Sequence, residues 1–184
     1  SLVLAAPYAS AQGKKKDFAG PPSGSTIVET AVALSGIPNE FDENPADFDI
    51  LVAAVIATGV DSSVLNGEYD YTVFAPSDQA FLDLCSVLQG APVTDEEACF
   101  DGIAGTLGLG GVEGVLAYHV ADGVRNSVSV SRARSVKMLD GNRISVSSGT
   151  VESIGSDAGL VLTDLRVADG MIHVIDFVLL PFEL

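Results

Sequence analysis

The chain contains no tryptophan, two methionines and two histidines, and only 7% of its residues are aromatic. Without large rings, a core must be built from aliphatics, and hydrophobic residues at 47% supply enough for a globular chain. Basic residues are scarce too: 9 Lys and Arg stand against 25 Asp and Glu, a formal charge of −16. Such a surface repels nucleic acid and anionic membranes, so neither is an expected partner. No run approaches membrane-spanning length. The two histidines show no Cys-His or His-x-His spacing, which gives zinc no support. His119 is placed to satisfy terminal carbonyls of a helix, and His173 alternates with Ile172 and Val174 on a late strand. Neither histidine comes with a recognisable partner set, so no catalytic residue, cofactor or resident metal is expected.

At 184 residues the chain suits one well-cored domain rather than two. The N-terminus, SLVLAAPYASAQGKKKDFAGPPSG, opens with a short apolar run ending in Ala9-Ser10-Ala11, the small-x-small pattern of an export-signal cleavage site. A Gly, Pro, Ser and Lys-rich linker follows. Residues 1–24 are therefore expected to be a signal-peptide remnant or an N-terminal arm and linker, and residues 25–184 the domain. Cys85 and Cys99 flank SVLQGAPVTDEEA, a loop that a disulfide would stabilise by about 3 kcal/mol; two buried thiols are the other reading. The export-like N-terminus favours the disulfide and a secreted or cell-surface location, extracellular or periplasmic.

Ser25 or Thr26 can cap a first helix that Gly36 and Pro38 end. EFDENPADFD then gathers Asp42, Glu43, Asp47 and Asp49 without the alternation and glycine of an EF-hand loop. A solvated acidic loop entering a helix N-terminus explains it more simply than calcium. FDILVAAVIAT reads as a buried helix stopped by Gly59, and Tyr71 to Ala75 as a strand. Ser77 is placed to N-cap the next helix, with Asp78 adding a favourable charge in its first turn. No glycine-flanked elbow or histidine surrounds Ser77, so the junction is a folding element and not a nucleophile. Thr94 and Glu97 suggest a capping box. GLGLGG has no lysine and follows a helix, which makes it a flexible connector before a short helix, VEGVLAYH, rather than a phosphate loop. Beyond Val124, short Val, Ile and Leu runs separated by turn signals predict five or six strands. Helices first and strands later make an α+β fold.

The scarce cations are unevenly placed. Arg125, Arg132, Arg134, Lys137 and Arg143 fall in one stretch whose only acid is Asp140. Ordinary solvated strand faces explain this; so does a dipolar protein that associates head to tail or grips an anionic polymer.

Three segments, TVFAPSDQAF (Thr72 to Phe81), VLAYHVADG (Val115 to Gly123) and DGMIHVIDFVLLP (Asp169 to Pro181), resemble in order and spacing the signature segments of the fasciclin domain family. The resemblance covers essentially residues 25–184. It implies helices packed against a wedge or sandwich of mostly antiparallel strands, and a non-enzymatic adhesion or extracellular-matrix module that binds a cell-surface or matrix protein or polysaccharide. In animal relatives the Tyr-His pair and its apolar neighbours are associated with integrin-mediated adhesion, which would put Val115, Leu116, Tyr118 and His119 at an adhesive site. Some algal relatives carry carotenoids, so a soluble carrier of a small apolar ligand is the alternative. Self-assembly through the apolar N-terminal arm is another. The segment between Phe81 and Tyr118 is longer than the family pattern, and both cysteines lie in or beside the extra length. No Asn-x-Ser/Thr sequon is present, which fits a bacterial or archaeal secreted protein.

Overall fold

The computed structural model describes residues 24–35, 41–42 and 44–183. The N-terminal arm, the residues expected to end the first helix, and Glu43 lie outside them. Helix α1 (Ile27–Leu34) opens with a capping box: Thr26 Oγ1 accepts from the Glu29 amide, and the Glu29 carboxylate accepts from the Thr26 amide. Helix α2 (Asp49–Thr58) stops at Gly59, whose φ of 72° is the left-handed conformation a glycine adopts at low cost. A single turn, α3 (Val60–Ser63), leads towards strand β1 (Tyr71–Pro76). Helix α4 (Asp78–Gln89) and the long helix α5 (Glu96–Tyr118) follow, then strand β2 (Val120–Asp122) and helix α6 (Ser127–Arg132). The remainder is strands β3 (Val136–Lys137), β4 (Arg143–Ser147), β5 (Thr150–Glu152), β6 (Asp157–Val167) and β7 (Gly170–Ile175).

The seven strands pair in the order β2-β1-β7-β6-β5-β4-β3. All pairs are antiparallel except β1 with β7, which run parallel from Tyr71↔Gly170 to Pro76↔Ile175. The sheet curls until its ends meet, with a bridge between Ala121 and Met138 and the Leu139 amide donating to Val120 O at 2.8 Å. Pleating then serves two cores. Val73 and Ala75 of β1 and Ile172 and Val174 of β7 pack under α1, α2, α4 and α5. Phe74 and Ile175 point into the curl, against Tyr118, Val130, Met138 and Ile144. Cys85 and Cys99 form the expected disulfide, with Cα atoms 5.8 Å apart, linking α4 to the start of α5.

Several local expectations need correction. Ser77 occupies the N-cap position of α4, but its hydroxyl makes no capping bond. Asp95, not Thr94, caps α5, accepting from the Ala98 amide at 2.9 Å. GLGLGG does break the helix, but at a single residue: Gly108 (φ 67°, ψ 165°) kinks α5 between two helical segments, the second carrying VEGVLAYH, and the other glycines of the run are helical rather than a flexible connector. Residues 127–132 form a helix where alternation suggested a strand, because Asn126 caps the Ser129 amide and Asp164 accepts from the Ser127 amide. Asp164 itself has φ 65°, in the irregular part of β6, so a bulge there aims the carboxylate at α6.

The last hairpin holds the first helix. The Asp169 carboxylate accepts from the buried Ile27 amide at 2.7 Å, 142 residues away in sequence. At the adjacent Gly170 an added Cβ would lie 2.1 Å from Tyr71 O and 2.9 Å from Ile27 Cδ1. A Gly170→Ala protein should lose about 2–3 kcal/mol in equilibrium urea unfolding, because the obstructing atom is backbone in the central parallel pair.

Candidate functional site

Helix α5 ends in the residues that the resemblance marks for adhesion. Val115, Leu116, Tyr118 and His119 are all buried, Tyr118 to 0% exposure and His119 to 3%, so none is presented at the surface in this conformation. Their polar atoms are spent on the fold. The Tyr118 hydroxyl donates to Arg143 O at 3.1 Å and accepts from the Ile154 amide at 3.2 Å. The Leu179 amide donates to His119 Nε2 at 2.9 Å, which leaves the ring proton on Nδ1, where it is donated to Val115 O at 2.7 Å. This imidazole caps the helix and clamps it to the C-terminal segment. Burial holds it neutral, with a pKa pushed down to about 4. His173 is engaged likewise: its Nε2 donates to Arg125 O and its Nδ1 accepts from the Asp164 amide. Its pKa is also lowered, first by burial.

The cations separate into two groups. Arg132 ends α6, Arg134 lies in the link to β3, and Lys137 of β3 stands directly across from Arg143 of β4. All four are exposed, and the Arg143 guanidinium donates to Ser135 Oγ at 2.8 Å. Like charges opposed across a ladder cost stability unless an anion lies between them. Arg125 is placed apart from this ladder. Its amide is held by Thr72 Oγ1, its guanidinium donates to Asp122 O, and its carbonyl accepts from His173. Among the described residues, no carboxylate forms an ion pair with any of the five.

The acidic stretch before α2 is solvated only in part: Asp42 and residues 44–46 are exposed, whereas its last acids turn inward. Asp47 and Asp49 are 2% and 5% exposed, and they converge with Asp78, at 0%, and Glu96, at 4%. Asp78 is not a surface charge for its own helix. Its two oxygens accept the Asp49 and Ile50 amides, each at 2.8 Å, and so cap α2. Glu96 accepts from the Asp42 amide at 3.2 Å. Burial, then the hydrogen bond and charge of Asp78, push Asp47 up to about 8. Burial, then neighbouring carboxylates, push Asp49 and Glu96 each up to about 7. Asp78 rises to about 6 by burial, its amide hydrogen bonds pulling the other way. Sequence reasoning grouped Asp42, Asp47 and Asp49 but missed Asp78 and Glu96, which approach only when α4 and α5 pack on α2.

An apolar cleft opens between α1, α2 and the sheet, lined by Val28, Val32, Val55, Ile56 and Val73, with His119 at its floor. Its free volume is about 50 Å³. That is well below the 300 Å³ or so at which sites for drug-sized ligands begin. A polyene would enter only if α1 and α2 parted.

Comparisons with known proteins agree on this architecture. The family description "Fasciclin domain" matches residues 46–181. The Transforming growth factor-beta-induced protein ig-h3 of Sus scrofa is 31% identical over 134 residues, which are 73% of this chain and 18% of that protein. The uncharacterized protein sll1735 of Synechocystis sp. is 28% identical over 138 residues, 72% of this chain and 89% of that one. Among solved structures, a FAS1 domain pair from the insect cell adhesion molecule Fasciclin I superposes with a TM-score of 0.60 at 14% identity, covering 86% of this chain and 51% of that one. The chain thus spans a small part of the pig protein and about half of the insect pair. With the family match and the α+β architecture in accord, this chain belongs to the fasciclin domain family.

Proposed function

We propose that this fasciclin-type module is a secreted, non-enzymatic adhesion or matrix domain that grips an anionic cell-surface polysaccharide through Arg132, Arg134, Lys137 and Arg143. The observation that carries the reading is the Lys137–Arg143 pair, opposed across β3 and β4 with Arg132 and Arg134 beside it. In a chain of charge −16, four exposed cations without carboxylate partners make a locally basic face that a polyanion would match. The disulfide fits an oxidising, extracellular compartment. No helix among the described residues is long and apolar enough to cross a membrane. A non-enzymatic role is supported by the histidines, whose ring nitrogens are committed to backbone partners. The contribution of Val115, Leu116, Tyr118 and His119 to adhesion is, on this reading, to hold the adjoining surface in shape.

Binding to a sulfated polysaccharide at low salt, measured by surface plasmon resonance, tests the assignment. The Arg132→Glu/Arg134→Glu protein should bind at least about tenfold more weakly, with a shallower salt dependence. Unchanged affinity in that variant would remove the basic surface from the account, leaving protein partners as the reading to pursue.

A further inference from the structure

We propose that Asp47, Asp49 and Asp78, with Glu96 and Asp42 alongside, form a binding site for one divalent cation, with calcium the ion that the donor set suits. Each of Asp47, Asp49 and Asp78 offers a carboxylate oxygen within 4.8 Å of the others, and Asp42, Asp47 and Glu96 form a second such set sharing Asp47. Calcium–oxygen bonds of about 2.3–2.6 Å place opposed ligands about 5 Å apart, so oxygens spaced this way can surround a single ion. All donors are hard carboxylate oxygens on segments of different stiffness, which favours the adaptable sphere of calcium over the rigid octahedron of magnesium.

An independent observation points to the ligand. Asp47 Oδ1 and Asp49 Oδ2 are buried and accept no hydrogen bond from any amide or hydroxyl, the Asp78 side chain beside Asp47 being another carboxyl, although both residues are more than nine-tenths buried. Buried carboxylate oxygens are almost always satisfied, because an unpartnered one forfeits its hydration without return. Several of the other oxygens are engaged. Asp78 spends one lone pair of each oxygen on the α2 amides, and Asp47 Oδ2 accepts from Asn44 Nδ2 at 3.0 Å. Among the described residues, no lysine or arginine pairs with any of these acids. A dication fills the gap in both hydrogen bonding and charge. It would also join the stretch before α2 to the N-terminal turns of α2, α4 and α5.

Thermal unfolding and calorimetric titration of the full chain with calcium chloride provide the test, with EDTA-treated protein as the reference. Millimolar calcium should raise Tm by about 5 °C, and the titration should show one site per chain. Asp47→Asn and Asp49→Asn each keep side-chain shape while removing one like charge. Both should unfold at a higher temperature than the original chain in EDTA, and both should bind calcium about tenfold or more weakly. Asp78 is left unaltered because it caps α2. Magnesium at equal ionic strength, expected to give a much smaller shift, controls for screening of the −16 surface. The proposal is overturned if calcium produces no saturable shift, as for carboxylates neutralised by shared protons, or if both variants respond like the original chain. Should one variant fail to fold, the other decides.

Discussion

His119→Ala should remove about 4 kcal/mol of stability, read as a lower midpoint in urea unfolding. Three losses combine. The substitution empties a buried volume at the floor of the apolar cleft. It also strips the Leu179 amide of its acceptor and Val115 O of its donor, both in buried positions. The damage is pH-dependent, and the sign follows from linkage. The His119 pKa is depressed in the fold, from about 6.5 to about 4, so protonation favours the unfolded chain. Its contribution is fully present above pH 6.5 and is lost as pH falls through 4. The stability difference between the original chain and His119→Ala should therefore shrink by about 3 kcal/mol across that window. The buried carboxylates of the acidic cluster act with the opposite sign, since their raised pKa values make acidification favourable to the fold. The difference between the two proteins, and not either profile alone, isolates the histidine. A difference that stays constant from pH 6.5 to 4 would show that His119 is not held neutral by burial.

Loss of the Cys85–Cys99 disulfide is expected to have the next largest effect. The bond closes a 14-residue separation, for which restriction of the unfolded chain contributes about 3 kcal/mol. Native packing changes little in a Cys85→Ala/Cys99→Ala protein, because both side chains are small and buried against α4 and α5. Differential scanning calorimetry should then show Tm lower by about 10 °C, with the fold retained. The original chain unfolded under strong reductant should reproduce that shift. A change under about 1 kcal/mol would mean that the loop between α4 and α5 is already restrained in the unfolded ensemble, as short cross-links sometimes find.

The places where sequence reasoning succeeded and failed share a cause. Thr26 with Glu29, Gly59 after an apolar helix, and Ser148-Gly149 with φ of 52° and 85° between β4 and β5 all act within a few residues. Their chemistry is local, so the string of residues carries it. Ser77, Thr94 and the 127–132 segment were misread because the acceptor that mattered came from elsewhere or from the next residue along: Asp95 for α5, and Asp164 for α6. The glycine-rich run was legible as a break between two helical segments but not as a break confined to one residue, Gly108, with the neighbouring glycines held in helix on either side.

The candidate sites divide in the same way. The basic stretch was legible as composition. Its facing pair, Lys137 with Arg143, depended on a hairpin register that the intervening Asp140-Gly141-Asn142 turn sets. The buried acidic cluster was half legible, as Asp42, Asp47 and Asp49 in one stretch; Asp78 and Glu96 come from two other helices.

By itself the sequence determined the family, the α+β class, the disulfide partners and the acidic character, because each rests on local pattern or on counting. Only the tertiary structure decided that Tyr118 and His119 face inward, that β1 lies parallel to β7, and that acids from three helices share one enclosed space. Those outcomes are set by which apolar faces meet. A side chain's exposure and its charged neighbours are properties of that meeting, and no stretch of chain contains them alone.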